Sequence, residues 1–263
     1  MEKVRADVLI VQKGLAKSRE QAKRMIMAGD AIAGTMRIDK PGELLDADAE
    51  IRIKENSIKY VSRGGYKLEK ILDTFDIDLQ DKIAMDIGSS TGGFTDCMLQ
   101  HGAKKVYAID VGYNQLAYSL RIDERVVVME KTNFRTMDVG IINERIDFIS
   151  IDVSFISLKH IFPNASKIIS DTGYICALIK PQFEAGKEKV GKKGVVRDEK
   201  VHEEVIENVI GLAKEEGLYP VKLTYSPIRG QEGNIEFLVL LQKENSEYNF
   251  DIKEIVKEAH KLR

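Results

Sequence analysis

Two regions with different hydrophobic patterns meet near residue 60 of the chain. In the first region, apolar residues recur at helical spacing over Arg5–Lys13, which predicts a short helix. A second helix is predicted over Arg19–Ala28, because Ser18 is a residue type that caps helix N-termini and Gly29 is one that ends helices.

Short strands are predicted after these helices, separated by turns. The segments are a strand at Ala31–Ala33, a turn at Gly34, a turn at Pro41–Gly42 and a strand at Glu50–Lys54. Fewer than 60 residues bury little core, so we expect residues 1–58 to form a small α+β accessory domain. Residues 59–66 are expected to be a linker.

The second region alternates strands and helices, which is typical of a parallel sheet covered on both faces. The predicted elements are strands at Ile83–Ile87, Lys105–Asp110, Val126–Glu130, Ile146–Ile151 and Tyr174–Ile179, with helices such as Phe94–His101 and Ser157–Ile169 between them. Tyr219–Tyr225 and Ile235–Leu241 then follow each other without room for a helix, which predicts a terminal antiparallel pair. The C-terminal segment 244–263 should form a helix over 251–262. A Rossmann-like α/β sheet closed in this way is typical of methyltransferases that use S-adenosylmethionine (SAM).

Composition excludes several classes of protein. Hydrophobic residues make up 43% and charged residues 31% of the chain, as in soluble globular proteins, and no apolar run approaches the roughly 18 residues of a membrane span. Charges interrupt the apolar residues of the N-terminus, so no secretory signal is expected. Cys97, Cys176 and the four histidines show no metal-ligand spacing. We therefore expect a cytoplasmic protein that needs neither a membrane nor a metal.

Charge is distributed unevenly, although the net charge of the chain is only −2. Residues 1–29 carry seven Lys and Arg side chains against three acidic ones, a net charge of +4. Such local cationic density suits phosphate binding. The alternative is a helix face that is merely solvated.

A glycine-rich segment, Ala84–Phe94, joins the first strand of the second region to its first helix. Glycines allow a ligand to approach the backbone closely, and the helix N-terminus offers free N–H groups. A phosphate loop requires a Lys after its last glycine, and this chain has none there. The order Gly88, Gly92, Gly93 does not fit the GxGxxG dinucleotide pattern either. Asp86 would repel a phosphate but suits an ammonium group such as that of SAM.

Two more polar residues lie near strand ends: Asp110 ends the second predicted strand, and Asn133 follows the third. Asp110 is placed where an acid can hydrogen-bond ribose hydroxyls, and Asn133 is placed where an amide could contact adenine. These positions favour SAM over a tight turn that binds no ligand, which remains the alternative.

The residues after the fourth strand restrict the methyl acceptor. Methylation of an exocyclic amine usually needs an Asp/Asn-Pro-Pro-aromatic turn, whereas this chain has Asp152-Val-Ser-Phe155. Methylation of pyrimidine carbon five needs a nucleophilic cysteine, usually after proline, and neither cysteine follows one. Charged residues in apolar surroundings remain: Asp152, Lys180 and Glu236. Because buried charges are costly unless paired, these residues are either functional or structural salt bridges.

Four segments resemble the TlyA family of bacterial rRNA cytidine-2′-O-methyltransferases, which are also labelled haemolysins. They are Ser62–Leu68 (SRGGYKL), Asp86–Asp96 (DIGSSTGGFTD), Ile151–Phe155 (IDVSF) and Ile179–Glu184 (IKPQFE). RADVL at 5–9, SREQA at 18–22 and GDAI at 29–32 are similar to an S4 RNA-binding domain, with Ala6 and Ala33 where Leu and Asn are usual. The resemblance covers residues 1–243, and residues 67–243 are similar to the FtsJ-like ribose methyltransferases.

The resemblance implies SAM-dependent 2′-O-methylation of a ribose in ribosomal RNA, with rRNA or ribosomal subunits as partners. It implies the catalytic set Lys67, Asp152, Lys180 and Glu236. We expect the cofactor site to comprise Asp86, Gly88, Ser90, Gly92, Gly93, Phe94, Asp110 and Asn133, and RNA to contact Arg5, Lys17, Arg19, Lys23 and Arg63. Lys180 would orient the 2′-oxygen or accept its proton.

Two other functions remain open at this stage. One is a non-catalytic, ribosome-associated RNA-binding protein, which would not bind SAM. The other is a membrane-active haemolysin, for which the sequence offers neither a span nor a strongly amphipathic cationic helix. Residues 182–197, with three glycines and five cations, suit a loop that closes over RNA, or a solvated loop that contacts nothing.

Overall fold

The structure is a computed structural model that describes residues 3–16, 18–53, 59–245 and 247–261. It divides the chain into two compact units, Met1–Lys59 and Tyr60–Arg263, which are described one at a time. No helix among the described residues is long and apolar enough to cross a membrane.

The first unit combines two helices with two short antiparallel sheets. In chain order its elements are β1 (Lys3–Arg5), α1 (Ala6–Gln12), α2 (Arg19–Ala28), β2 (Ala31–Ala33), β3 (Met36–Arg37), β4 (Leu44–Asp46) and β5 (Ile51–Ile53). One sheet pairs β1 with β4, and the other has the order β3-β2-β5. Its core lies between the helices, where Ile10 and Ile26 are fully buried.

The second helix of this unit is confirmed with both of its ends. Ser18 Oγ accepts a hydrogen bond from the Gln21 N–H at 3.2 Å, and Gly29 ends the helix with a φ of 80°. The first helix begins at Ala6 instead of Arg5, because Arg5 has the extended backbone of β1. Neither β1 nor β4 was predicted, since three residues are too few to show alternation.

The second unit contains the larger fold. Its elements are α3 (Gly65–Phe75), β6 (Ile83–Ile87), α4 (Gly93–Gln100), β7 (Lys105–Ile109), α5 (Tyr118–Arg121), β8 (Val126–Met129), β9 (Ile146–Ile151), α6 (Phe162–Ile168), β10 (Ile169–Ile179), α7 (Pro181–Glu184), α8 (Glu199–Glu215), β11 (Tyr219–Tyr225), β12 (Phe237–Gln242) and α9 (Ile252–Lys261).

These strands form one seven-stranded sheet with the order β11-β12-β10-β9-β6-β7-β8. The strands from β10 to β8 pair in parallel, whereas β12 runs antiparallel to both β10 and β11. The predicted Rossmann-like sheet with an antiparallel terminal strand is therefore confirmed. Because the parallel strands all end at one edge, the side chains that follow them can converge there.

Helices cover both faces of the sheet. One apolar layer joins it to α6, α8 and α9, and the other joins it to α3, α4 and the residues around α5. Phe148, Phe162 and Phe237 are among the largest fully buried side chains, and each stabilises the fold by about 1.5–3 kcal/mol relative to an exposed side chain. This packing on both faces holds the strand ends in fixed positions.

Several predicted boundaries are wrong. β10 begins at Ile169 instead of Tyr174, and α6 is shorter than the predicted helix Ser157–Ile169, because a 3₁₀ turn precedes it and Pro163 lies in its first turn. β12 begins at Phe237, so Glu236 lies immediately before the strand.

The linker expected over residues 59–66 does not match the packing of this segment. Tyr60 is 1% exposed, belongs to the core beside α3, and donates a hydrogen bond from its hydroxyl to Glu69 Oε1 at 2.8 Å. The Val61 N–H donates to Asp96 Oδ2 at 2.7 Å, and Gly65 already begins α3. Burial of an aromatic ring thus makes residues 60–66 part of the second unit.

Candidate functional site

A cavity of about 410 Å³ lies in the second unit, at the edge where the parallel strands end. Five chain segments line it. They are the turn into α3 (Ser62, Arg63, Gly64, Lys67), the β6–α4 loop (Asp86, Gly88, Ser89, Ser90, Thr91, Gly93, Phe94), the β9 exit (Asp152, Ser154), the β10 exit (Lys180, Gln182, Phe183) and the approach to β12 (Ile228, Arg229, Gly230, Glu236).

The four residues of the expected catalytic set meet in this cavity as two ion pairs. Lys67 Nζ donates to Glu236 Oε2 at 2.6 Å, and Lys180 Nζ lies 2.6 Å from Asp152 Oδ1. Lys67 and Lys180 are each 9% exposed and Glu236 is 3% exposed. Both ammonium groups are thus held out of bulk water beside a carboxylate, which offsets the cost of burying their charge.

Local backbone structure sets the position of each charge. Asp152 follows β9 directly, and Lys180 lies between β10 and Pro181, the first residue of α7. A Cβ at Gly230 would overlap the carboxylate of Glu236, so only glycine leaves room for that side chain. Gly88 has a φ of +84°, and a Cβ there would lie 2.5 Å from the Asp152 carbonyl oxygen. Glycine at both positions allows close approach of the charged segments.

Asp86 forms the buried floor of the β6–α4 loop. Its Oδ2 accepts hydrogen bonds from the Thr95 N–H at 2.9 Å and the Thr95 hydroxyl at 2.7 Å, and its Oδ1 accepts one from the Ser150 hydroxyl at 3.0 Å. Burial, with a smaller contribution from the charge of Asp152, raises the pKa of Asp86 to about 7 against the lowering effect of these hydrogen bonds. The carboxyl therefore titrates near neutral pH.

Three residues expected to bind cofactor do not line the cavity. Asp110 accepts hydrogen bonds from the Ser90 N–H at 2.8 Å and the Gly112 N–H at 2.7 Å, so it shapes the loops on either side of it. Asn133 is exposed, and its side chain accepts from the Arg135 N–H. Gly92 faces Leu116 and Leu120, which leave no room for a Cβ.

Several cavity residues were missed by sequence reasoning. Ser154 is one of them, and its Oγ accepts a hydrogen bond from Lys180 Nζ at 2.9 Å. Its position two residues after Asp152 is the sequence signal that could have identified it. Asp152 Oδ1 has no hydrogen-bond partner among the described residues, so its contact with Lys180 is Coulombic. Phe155 is 84% exposed with a φ of 62°, and its ring lies 4.9 Å from that of Phe183.

The cations expected to contact RNA differ in their surroundings. Arg63 is exposed and lines the cavity. Arg5 Nε and Arg19 Nη2 lie 3.0 Å and 2.9 Å from the carboxylate of Asp7, which is fully buried in the first unit. The hydrogen bond from Arg5, with further help from Arg19, lowers the pKa of Asp7 to about 2. The two arginines thus have a structural role, while their side chains stay about half exposed.

Lys23 is exposed on α2, and Lys17 lies outside the described residues. Among the residues that the structure describes, no group of three or more His, Cys, Asp or Glu side chains is arranged to hold a metal ion.

Comparisons with known proteins match this architecture. The FtsJ-like methyltransferase family model covers residues 60–243. A Bacillus subtilis protein, provisionally named as the rRNA methyltransferase YqxC, is 52% identical over 99% of this chain and 95% of its own length. The 16S/23S rRNA (cytidine-2′-O)-methyltransferase TlyA of Mycobacterium tuberculosis is 40% identical over 91% of this chain and 90% of its own.

Solved structures agree with these matches. One from Streptococcus thermophilus, provisionally named a hemolysin, is 50% identical with a TM-score of 0.79, and the match covers 100% of this chain and 97% of that one. A provisionally named SAM-dependent methyltransferase from Listeria monocytogenes shares the fold alone, at 16% identity and a TM-score of 0.52 over 69% of this chain and 98% of its own.

Fold and cavity together define a methyltransferase. The chain belongs to the FtsJ-like methyltransferase family and, within it, to the TlyA group.

Proposed function

We propose that this protein transfers a methyl group from SAM to the 2′-hydroxyl of a cytidine ribose in ribosomal RNA. The observation that carries the proposal is the presence of two ion pairs, Lys67–Glu236 and Lys180–Asp152, in one cavity at the strand edge. The name of the Mycobacterium tuberculosis relative supports cytidine in rRNA as the substrate.

The residues of the β6–α4 loop fit SAM. From Asp86 to Phe94 the wall of the cavity offers one carboxyl group, three hydroxyl side chains and glycine backbone, and it holds no Lys or Arg. This donor set suits an ammonium-bearing cofactor and does not suit a phosphate. When bound, SAM supplies an electrophilic methyl group. We assign the loop residues Asp86, Gly88, Ser90, Gly93 and Phe94 to its binding.

The chain's own residues would then prepare the hydroxyl. Lys180 contacts the 2′-oxygen and orients it for attack, while Asp152 and Ser154 hold the Lys180 ammonium in place. Lys67 and Glu236 line the same cavity as a second ion pair. A 2′-hydroxyl is a weak nucleophile, so positioning supplies much of the acceleration.

The first unit would supply RNA affinity as an S4-like domain. Its cations contact phosphates, which position the RNA without reading its sequence. The half-exposed guanidinium groups of Arg5 and Arg19 can still reach a phosphate while they hold Asp7. Ribosomal RNA or ribosomal subunits in the cytoplasm are the partners that follow from this assignment.

Substitution of Lys180 tests the proposal. Purified wild-type protein should place 2′-O-methylcytidine in rRNA or ribosomal subunits, detected by mass spectrometry of nucleosides. Lys180→Ala should bind SAM and RNA with nearly unchanged affinity, and its single-turnover rate should fall by at least about 10²-fold. Lys180→Arg should also fail, because a guanidinium group does not reproduce the geometry of an ammonium group.

Melting temperature and SAM affinity, measured on the same preparations, separate chemistry from stability. If Lys180 were only a structural ion-pair partner, Lys180→Ala would melt earlier and keep activity in proportion to its folded fraction. A folded Lys180→Ala protein with near-normal turnover would contradict the proposed mechanism. A wild-type protein that binds RNA but not SAM would instead favour a non-catalytic RNA-binding role.

A further inference from the structure

The loop between β7 and α5 is held mainly by hydrogen bonds to its backbone. Its side chains are mostly turned to water: Val111 is 70% exposed and Tyr113 is 68% exposed. Apart from the buried Leu116, apolar burial contributes little to the shape of this loop, so hydrogen bonds to its backbone are its main support.

Glu130 provides most of those hydrogen bonds from a single carboxylate. It follows β8 directly, and its side chain is only 8% exposed. Glu130 Oε2 accepts from the Asn114 N–H at 2.9 Å, while Oε1 accepts from the Gln115 N–H at 3.0 Å and the Leu116 N–H at 3.4 Å. Arg121 Nη2 donates to Oε1 at 2.6 Å and is the fourth donor to this carboxylate.

This carboxylate stays ionised over a wide range of pH. The hydrogen bond from Arg121, together with those from the three backbone N–H groups, lowers the pKa of Glu130 to about 2. The carboxylate is therefore ionised throughout the pH range in which an enzyme can be assayed, and hydrogen bonds to an ionised acceptor are stronger than those to a neutral one.

The loop that Glu130 holds is in direct contact with the β6–α4 loop. The Ala117 N–H donates to the Thr91 carbonyl oxygen at 3.1 Å, and Thr91 lines the cavity. Leu116 packs on Gly92, where an added Cβ would lie 2.8 Å from its Cδ1. A displacement of the loop after β7 would thus move the wall of the cavity that we assign to SAM.

We propose that Glu130 is a positioning residue for the cofactor, which fixes the loop at residues 111–121 and through it the β6–α4 loop. The inference rests on the proposed function, since it takes the wall at Gly88–Phe94 as the SAM site. Glu130 is not among the residues that line the cavity, so it should act on cofactor binding and not on methyl transfer itself.

Glu144, which lies just before β9, offers a matched control. It accepts from Lys105 Nζ at 2.8 Å and from the Tyr107 hydroxyl, so it is also a glutamate with a cationic and a neutral partner. Lys105 begins β7, which places this cluster at the opposite end of the strand from the cavity. Glu144→Ala removes comparable contacts without touching the loop after β7.

The experiment compares full-length Glu130→Ala, Glu130→Gln, Arg121→Ala and Glu144→Ala with the wild type. SAM affinity is measured by calorimetry, and KM for SAM and kcat are measured on rRNA. Glu130→Ala should weaken SAM binding about tenfold, the effect of losing roughly 1.4 kcal/mol, and should raise KM for SAM by the same factor. Its kcat at saturating SAM should stay within about twofold of wild type, as should both constants of Glu144→Ala.

The other two variants distinguish the hydrogen bonds from the loop backbone to Glu130 from the Arg121–Glu130 ion pair. Arg121→Ala should have a smaller effect than Glu130→Ala, because the three backbone hydrogen bonds remain. Glu130→Gln keeps the side-chain volume but turns one acceptor into a donor, so a folded Gln variant should bind SAM at least about threefold more weakly even if the Ala variant does not fold.

Three results would overturn the inference: unchanged SAM affinity in a folded Glu130→Gln or Glu130→Ala protein, a loss confined to kcat, or an equal loss in Glu144→Ala. Failure of the proposed function gives a different result, since the wild-type protein itself would then not bind SAM.

Discussion

Among single residues, Asp86 combines a place in the cavity wall with a pKa near neutral pH. Its carboxyl group is 1% exposed, and burial outweighs three hydrogen bonds to raise its pKa to about 7. A cation bound beside it would favour the carboxylate over the neutral acid. SAM carries an ammonium group and a sulfonium group, so its binding should be linked to this titration.

We therefore expect the affinity for SAM to increase as the pH rises from about 6 to 8. Over this range Asp86 changes from mostly neutral to mostly ionised in the free protein. Calorimetry at a series of pH values measures the effect, and Asp86→Asn should bind SAM more weakly with a flatter pH profile. An unchanged pH profile in Asp86→Asn would contradict the assignment of this residue to the cofactor.

The same shift has a consequence for stability with a defined sign. A buried acid whose pKa is raised on folding destabilises the folded state once it ionises, because the folded state binds its proton more tightly. The contribution of Asp86 to the free energy of unfolding should thus fall as pH rises from about 4 to 7, and Asp86→Asn should remove that part of the pH dependence.

The sequence predicts the residue types of the cavity but not which of them pair. Charges at strand ends must be paired if they are buried, which pointed to Asp152, Lys180 and Glu236. It could not tell that Glu236 pairs with Lys67, which is 169 residues away, because that contact depends on the placement of α3. Asp110 as a cofactor residue stays a prediction: its position at a strand end favours a ligand, and each of its oxygens also accepts one backbone N–H.

Among the structural elements, the short helix α7 follows Lys180 and is hydrogen-bonded to the segment that follows Asp152. Glu184 at its end accepts a hydrogen bond from the Ser157 hydroxyl at 2.7 Å and one from the Leu158 N–H at 2.9 Å. Burial raises the pKa of Glu184. These contacts fix the segment after β9 against the segment after β10, and so they fix Asp152 relative to Lys180.

We expect Glu184→Ala to lower the single-turnover rate of methyl transfer roughly tenfold, since about 1–3 kcal/mol of hydrogen bonding that aligns the ion pair is lost. SAM affinity should stay within about twofold, because the β6–α4 loop is not involved. Glu188→Ala is the matched control, as Glu188 is exposed and four residues further along the chain. A rate loss of equal size in both variants would exclude the positioning role.

Element prediction succeeded where apolar runs were long enough to define a period. Ile83–Ile87 and Ile146–Ile151 are observed with the predicted bounds, because buried parallel strands need continuous apolar residues. The three residues of β1 give no such period. The sequence predicts a polar linker around Tyr60, because one aromatic residue among Ser, Arg and Gly residues shows no hydrophobic periodicity. In the structure that ring is buried.

For the whole molecule, the distribution of charge matters more than its sum. The chain has a net charge of −2, yet its N-terminal 29 residues carry +4. The first unit uses two of these cations, Arg5 and Arg19, to hold the buried carboxylate of Asp7. Lys13, Lys23 and Arg24 are exposed and form no ion pair with any described residue, which makes them the better probes of RNA binding.

The triple variant Lys13→Ala, Lys23→Ala, Arg24→Ala should therefore bind rRNA more weakly without loss of stability. The plot of log affinity against log salt concentration should become shallower by about 0.7 to 0.9 for each phosphate contact removed. SAM affinity should not change, because the cavity lies wholly within the second unit. Arg19→Ala is the contrasting variant: it should lower the melting temperature as well as RNA affinity, since it leaves the buried Asp7 with one cation fewer. Wild-type affinity and salt slope in the triple variant would show that RNA is bound by other residues, and the S4-like assignment would lose its physical basis.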